Sequence, residues 1–126
     1  MFDVSIIIVS WNAKRHLLNC LNSLENTAKG YSQEIFIVDN ASSDGSPDAV
    51  ARQFPQVGLI KNKENLGFAR ANNIGIHQSS GRYICLVNSD VIVLNGCIEN
   101  LISFMDNHPT AGMVGPRILN QDRTLQ

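Results

Sequence analysis

Charge is scarce in this sequence of 126 residues: Asp, Glu, Lys and Arg make up 17%, and the formal net charge is -1. That balance excludes a nucleic-acid binder working through bulk positive charge. Long hydrophobic runs are also missing. The longest early one, Ile6-Ile7-Ile8-Val9, is far short of the roughly 20 residues of a membrane-spanning helix. It is also too short for the core of a secretion signal, and Asp3 stands where a basic flank belongs. Cysteine is limited to Cys20, Cys85 and Cys97, with no CxxC pair and apolar neighbours throughout. This is the pattern of buried thiols and a reducing, cytoplasmic location. Without a secretion signal, the sequon Asn40-Ala41-Ser42 carries little weight. Glycine-rich phosphate loops are absent too. The first strand-to-helix turn, Ser10-Trp11-Asn12-Ala13-Lys14, holds no glycine, and neither GxGxxG nor GxxxxGK[ST] occurs. A dinucleotide-binding dehydrogenase and a P-loop NTPase are thereby disfavoured. A response-regulator receiver is disfavoured as well, because no acid pair follows the first strand and no aspartate ends the third.

What is present is enough for one small domain with a core, since 44% of residues are hydrophobic. Short β-rich runs alternate with helical stretches. Val4 to Ser10 reads as a strand covered on both faces. Leu17, Leu18, Leu21 and Leu24 recur at helical spacing, and Gly30 ends that region. Glu34 to Asp39 is a second strand. Ser46-Pro47 suits a helix start, with Val50, Ala51 and Phe54 on the apolar face and Pro55 as the stop. Val57 to Ile60, Tyr83 to Val87 and Met113-Val114 read as strands three to five. Between them lie helices marked by Phe68, Ala71, Ile74 and Gly75, and by Ile98, Leu101, Ile102 and Met105. The order predicts an α/β domain with a mostly parallel sheet and helices on both faces. The tail from Ile118 to Gln126 is polar, with no evident packing partner.

In such sheets ligands bind beyond the carboxyl ends of the strands. Here three strand ends carry polar groups to one rim: Ser10-Trp11-Asn12, then Asp39 through Gly45, then Asn88-Ser89-Asp90. A carboxylate at Asp39 suits a base N–H or a ribose hydroxyl, whereas a plain turn with Asn40 and Ser42 shaping the loop is the blander reading. Asp90 suits a hard divalent cation, because Mg2+ and Mn2+ often use one or two carboxylates and complete their shells with phosphate oxygens and water. Arg70, near a helix start, is either a base or phosphate contact or a solvated surface charge. Asn72, Asn73 and Gly75 are poor helix formers for a pure scaffold.

Together these residues resemble the inverting family 2 glycosyltransferases of the GT-A type. The blocks, in order, are Val9-Ser10-Trp11-Asn12; Val38-Asp39-Asn40-Ala41-Ser42-Ser43-Asp44-Gly45-Ser46; Asn65-Leu66-Gly67-Phe68 through Asn72-Asn73-Ile74-Gly75; and Leu86-Val87-Asn88-Ser89-Asp90. Asn88 at the head of the D-x-D-like turn is similar to the rhamnosyltransferase-like branch. The resemblance implies a Rossmann-like GT-A sheet and sites at Ser10, Asn12, Asp39, Arg70, Asn88, Ser89 and Asp90. Ser10 and Asn12 would touch the nucleoside, Asp39 a uracil or thymine base, Asn88 the ribose, and Asp90 the Mn or Mg ion that holds the diphosphate. The implied donor is UDP- or dTDP-linked. The implied acceptor is a glycan or lipid-linked sugar, in polysaccharide or cell-surface glycan synthesis at the inner face of the membrane.

The general base that such an enzyme needs lies, in the family, beyond the donor half. Asp106 and Asp122 match no such context, so no catalytic base is nominated. The expectation is therefore a truncated domain. Residues 1–117 form the nucleotide-sugar-binding half, 118–126 lead toward an acceptor region, and the chain alone is inactive. The alternatives are a non-catalytic nucleotide-binding or assembly module and another nucleotide-sugar enzyme. The latter class usually carries a basic, glycine-rich first loop, which Ser10-Trp11-Asn12 does not supply.

Overall fold

A computed structural model of the chain describes residues 1–126. Strands and helices alternate: β1 (Val4–Ser10), α1 (Lys14–Thr27), β2 (Gln33–Asp39), α2 (Ser46–Gln53), β3 (Gly58–Lys61), α3 (Phe68–Gln78), β4 (Tyr83–Leu86) and α4 (Cys97–Asn107). The four strands are parallel and lie in the order β3-β2-β1-β4. In β1, Ile6 and Ile8 face one way and Ile7 the other, as the two-residue period of a strand requires. Ile6 and Ile8 join Leu17, Leu21 and Leu24 of α1, Val50 of α2 and Ile98 of α4 in the larger core. Ile7 and Val38 pack against Ala71 of α3 on the opposite face. Helices thus cover both faces, as the alternation predicts.

The leucine spacing of α1 is what makes it a core helix. Leu17, Leu21 and Leu24 are at most 1% exposed, and burying each contributes about 1.5–3 kcal/mol. Gly75 explains how α3 comes so close to the sheet. A β-carbon there would lie 2.6 Å from Ile7 Cγ2 and 3.2 Å from Val38 Cγ2.

Several sequence expectations need correction. No fifth strand forms at Met113-Val114: the segment after α4 has no regular structure, and Met113 is 90% exposed. Two apolar residues between Gly112 and Gly115 are too short to make a ladder, so β4 keeps one open edge. The tail is exposed, but it pairs with itself: Leu119 and Leu125 form an antiparallel bridge, and Gln126 N donates to Ile118 O at 2.9 Å. Ser46 is not the cap but the first helical residue of α2. Gly45 precedes it at φ 78°, a left-handed conformation suited to glycine. Ala49 rather than Ala51 is buried on α2, and Phe68 is exposed. Cys20 is buried, whereas Cys85 and Cys97 are half-buried, and all three are free thiols.

Candidate functional site

The chain steps outward from β1 to β2 to β3, then crosses back so that β4 lies on the other side of β1. The topological switch point therefore falls between the carboxyl ends of β1 and β4, where open α/β sheets form their ligand crevice. The loops after β1, β2 and β4 surround it.

The first two loops are tied to each other. Asn12 N donates to Ser42 Oγ at 2.9 Å, and Ser43 N donates to Asn12 Oδ1 at 2.8 Å. Asp44 accepts from Lys14 N through Oδ2 and from Ser46 N through Oδ1, each at 2.9 Å. One carboxylate thus caps the first turns of α1 and α2 together, where helices have unpaired amides. Burial works to raise the Asp44 pKa, but hydrogen bonds from Ser46 and the Lys14 amide outweigh it and hold the group below its ordinary value. Asn40 is also fully used. It donates to Gly67 O at 3.2 Å and accepts from Asn62 Nδ2 at 3.0 Å and Leu66 N at 3.3 Å, which pins the loop before α3.

Asp39 and Ser10 behave differently. They are register partners on β2 and β1, exposed by 2% and 1%. Asp39 Oδ2 accepts from Ser42 N at 3.0 Å, yet Asp39 Oδ1 has no partner, and neither does Ser10 Oγ. A buried polar atom without a partner costs about 1–3 kcal/mol, and native structures keep few of them without a reason. The two lie side by side at the carboxyl ends of β1 and β2, next to the switch point.

Across the crevice, Val87 N donates to Ile7 O, and Val91 N donates to Asn88 O at 3.2 Å, closing the turn over 88–91. Asn88 and Asp90 are exposed and Ser89 is half-buried. Beneath them lies Cys20, whose thiol is pushed up to about 12 by burial, with the charge of Asp90 adding to the effect. No group of three or more His, Cys, Asp or Glu side chains assembles a complete metal cage anywhere. A cation at Asp90 would need phosphate oxygens and water for its other ligands, which is a donor set Mg2+ and Mn2+ accept.

The structure therefore sets Ser10, Asn12, Asp39, Asn88, Ser89 and Asp90 at or just beyond the carboxyl ends of the adjacent strands β2, β1 and β4. Arg70 stands apart on the first turn of α3; it is exposed and takes part in neither ion pair of the chain. Asn12 faces the crevice loops with its side-chain oxygen already engaged. Sequence reasoning missed two exposed aromatics, Trp11 after β1 and Phe68 at the start of α3, 56% and 59% exposed; the signal for Trp11 was a bulky aromatic beside the strand-end Ser10 and Asn12. Asp106 lies at the far end of β4, bonded to Arg82 and Tyr83, and Asp122 is bonded to Thr124 in the terminal hairpin. Neither reaches the crevice. A hollow of about 570 Å³ beside β4 and α4 is lined mainly by apolar residues such as Leu86, Leu101 and Met105 and contains none of the crevice residues.

Residues 5–126 match the model of Glycosyl transferase family 2. The chain belongs to glycosyl transferase family 2. Among curated members it is 29% identical over 111 residues to the minor teichoic acid biosynthesis protein GgaB of Bacillus subtilis, covering 85% of this chain and 12% of that one. It is 30% identical over 137 residues to the N-acetylglucosaminyl-diphospho-decaprenol L-rhamnosyltransferase of Mycobacterium tuberculosis, covering 99% of this chain and 44% of that one. Solved structures of the same GT-A fold include a mannosyltransferase from Pyrobaculum calidifontis in complex with GDP-Man and Mn2+. Its TM-score is 0.77 at 22% identity, over 94% of this chain and 36% of that one. Another is S. aureus TarS 1-349 in complex with UDP-GlcNAc, with TM-score 0.74 at 21% identity, over 90% and 36%. The chain spans less than half the length of each of these proteins.

Proposed function

We propose that residues 1–117 are the donor-nucleotide-binding half of a sugar transferase, with the 118–126 hairpin outside that unit. The observation that carries this reading is the pair of buried, unpartnered atoms, Asp39 Oδ1 and Ser10 Oγ, at the carboxyl ends of β2 and β1 beside the switch point. An acceptor oxygen beside a hydroxyl suits the imide N–H and adjoining carbonyl of uracil or thymine, so a UDP- or dTDP-linked donor is favoured. Asn88 stands where the ribose hydroxyls would fall, with Ser89 beside it. Asp90, exposed and unshared, holds the cation side of the diphosphate. A divalent cation bound there supplies charge neutralisation that stabilises the departing nucleoside diphosphate. Arg70 is assigned a supporting contact to the ligand from α3.

The reaction proposed for the whole enzyme is a single displacement at the anomeric carbon, with inversion, onto the hydroxyl of a glycan or lipid-linked acceptor. Asp106 and Asp122 are engaged away from the carboxyl ends of the strands, so no catalytic base is assigned, and this chain alone is expected to bind the donor and transfer little or no sugar. The relatives named for minor teichoic acid biosynthesis and for rhamnosyl transfer to a diphospho-decaprenol-linked sugar support a role in polysaccharide or cell-surface glycan assembly, which we place at the cytoplasmic side. No helix is long and apolar enough to cross a membrane.

Calorimetry with UDP, dTDP and GDP, each with and without Mn2+, tests the reading. The expected result is measurable binding of UDP or dTDP without metal, strengthened by Mn2+. Absence of binding to every nucleotide under both conditions refutes it.

A further inference from the structure

The turn that carries Asn88 and Asp90 follows a four-residue strand and runs ten residues to α4 with no regular structure. It is nevertheless fastened at both ends to the same face of α1. At one end Cys20 Sγ approaches Asn88 O at 3.8 Å, in position to donate to it. At the other end Val93 N donates to Ser23 Oγ at 2.9 Å, and Ser23 Oγ itself donates to Cys20 O at 2.7 Å. The two anchors are three residues apart on the helix, one turn, and so point the same way. Val91 and Val93 pack into the main core, while Asp90 and Ile92 are exposed. Past the 88–91 turn the side chains alternate, with Asp90 and Ile92 outward and Val91 and Val93 inward, so a slip of one residue would turn Asp90 and Ile92 inward and bring Val91 and Val93 outward.

We propose that Cys20 and Ser23 are positioning residues for Asp90: they hold the 88–93 segment in the register that presents its carboxylate to the diphosphate and its cation. This rests on the donor-binding reading above and adds to it a dependence on α1. Neither residue reaches the ligand. Ser23 satisfies the Val93 amide, which a free side chain in this segment does not replace, and the Asn88 carbonyl is shared between Cys20 and Val91 N. Without Ser23 the segment samples other registers. The apparent affinity for metal-dependent ligands then falls by the fraction of molecules that remain competent.

The test is calorimetry of the full chain with UDP in EDTA and with UDP plus Mn2+, on the parent and on Ser23→Ala, Ser23→Thr and Cys20→Ser. Loss of one hydrogen bond should lower the ratio of competent to other registers by about fivefold, which sets the upper bound on the loss of apparent affinity. Ser23→Ala is therefore expected to lose up to about fivefold of the gain from Mn2+, and to lose less in EDTA, where Asp39 and Ser10 hold the base and only Asn88 belongs to the segment. Ser23→Thr, which keeps the acceptor, should recover most of that gain, and Cys20→Ser should keep it. Faster amide exchange at Val93 alone should accompany the Ser23→Ala loss. If Ser23→Ala retains the full Mn2+ gain, or loses affinity equally with and without metal, the positioning role is wrong. A parent that binds UDP with no Mn2+ gain refutes the role of Asp90, and the positioning proposal with it. A parent that does not bind UDP refutes the donor site itself. If Ser23→Ala does not fold, Ser23→Thr and Cys20→Ser decide: loss of the Mn2+ gain in the hydrogen-bonding variant Ser23→Thr overturns the proposal.

Discussion

Replacing Asp39 by Asn separates a ligand-binding role from a structural one, because the two roles predict opposite changes. The substitution keeps the shape. The amide oxygen can still accept from Ser42 N, which lies 3.0 Å from Asp39 Oδ2. At the position of Oδ1, now a buried acceptor without a partner, Asn places an NH2 group. In the free chain this removes a desolvated charge that nothing pairs. Against that, the hydrogen bond from Ser42 changes from charge-assisted to neutral, a loss of about 1 kcal/mol. The two effects roughly cancel, so unfolding free energy should change by less than about 1 kcal/mol. Toward UDP the balance is different. A base N–H that meets an NH2 group instead of a carboxylate loses a hydrogen bond to a charged group, worth about 1.5–3 kcal/mol. That is a fall in affinity of about 10- to 150-fold. Urea denaturation reads the first quantity and calorimetry without metal reads the second. A clear loss of stability with unchanged UDP affinity would refute the reasoning and make Asp39 a loop-capping residue.

Three further outcomes are expected. Asp90→Ala should abolish the Mn2+-dependent part of UDP binding and leave the metal-free part, since its side chain is exposed and makes no hydrogen bond within the chain; calorimetry in EDTA and in Mn2+ shows both. Gly75→Ala gains about 1 kcal/mol of helix propensity, but its methyl would lie 2.6 Å from Ile7 Cγ2 in a filled core, where overpacking costs about 1–3 kcal/mol. The melting temperature should drop by a few degrees, and a rise would show that α3 tolerates the contact. For Glu34, burial raises the pKa, but hydrogen bonds from Ser5, Ser80 and Gly81 outweigh it and leave the net value lowered. A carboxyl with a lowered native pKa stabilises the fold above its unfolded value and loses that contribution as pH falls through the native one. The parent should therefore lose more stability than Glu34→Gln when the pH is taken below 4.5, the ordinary glutamate value, as read by urea denaturation across pH.

Much of the fold was legible in local pattern. The period of the leucines in α1 and the continuous apolar run of β1 are short-range signals, and alternating them implies parallel strands with helices on two faces. Failures came where a local pattern lacked a partner. Met113-Val114 has strand-like composition but no ladder beside β4. Ser46-Pro47 has the look of a cap and first turn, yet Asp44 takes the amide that a cap would, and the helix starts one residue earlier in register.

The polar strand ends divide along the same line. By itself the sequence determined that Ser10, Asp39 and Asn88 to Asp90 come at strand ends, because strand boundaries follow from hydrophobic period and turn chemistry. Only the tertiary structure decided which of these groups are already spent. Asn12 is bound to Ser43, 31 residues away, and Asn40 to Gly67, 27 residues away. Asp39 Oδ1 and Ser10 Oγ are left buried and unpaired. Hydrogen-bond saturation is set by contacts between loops distant in the chain, which no local period encodes. The polar atoms still free to meet a ligand appear only once those loops are packed together.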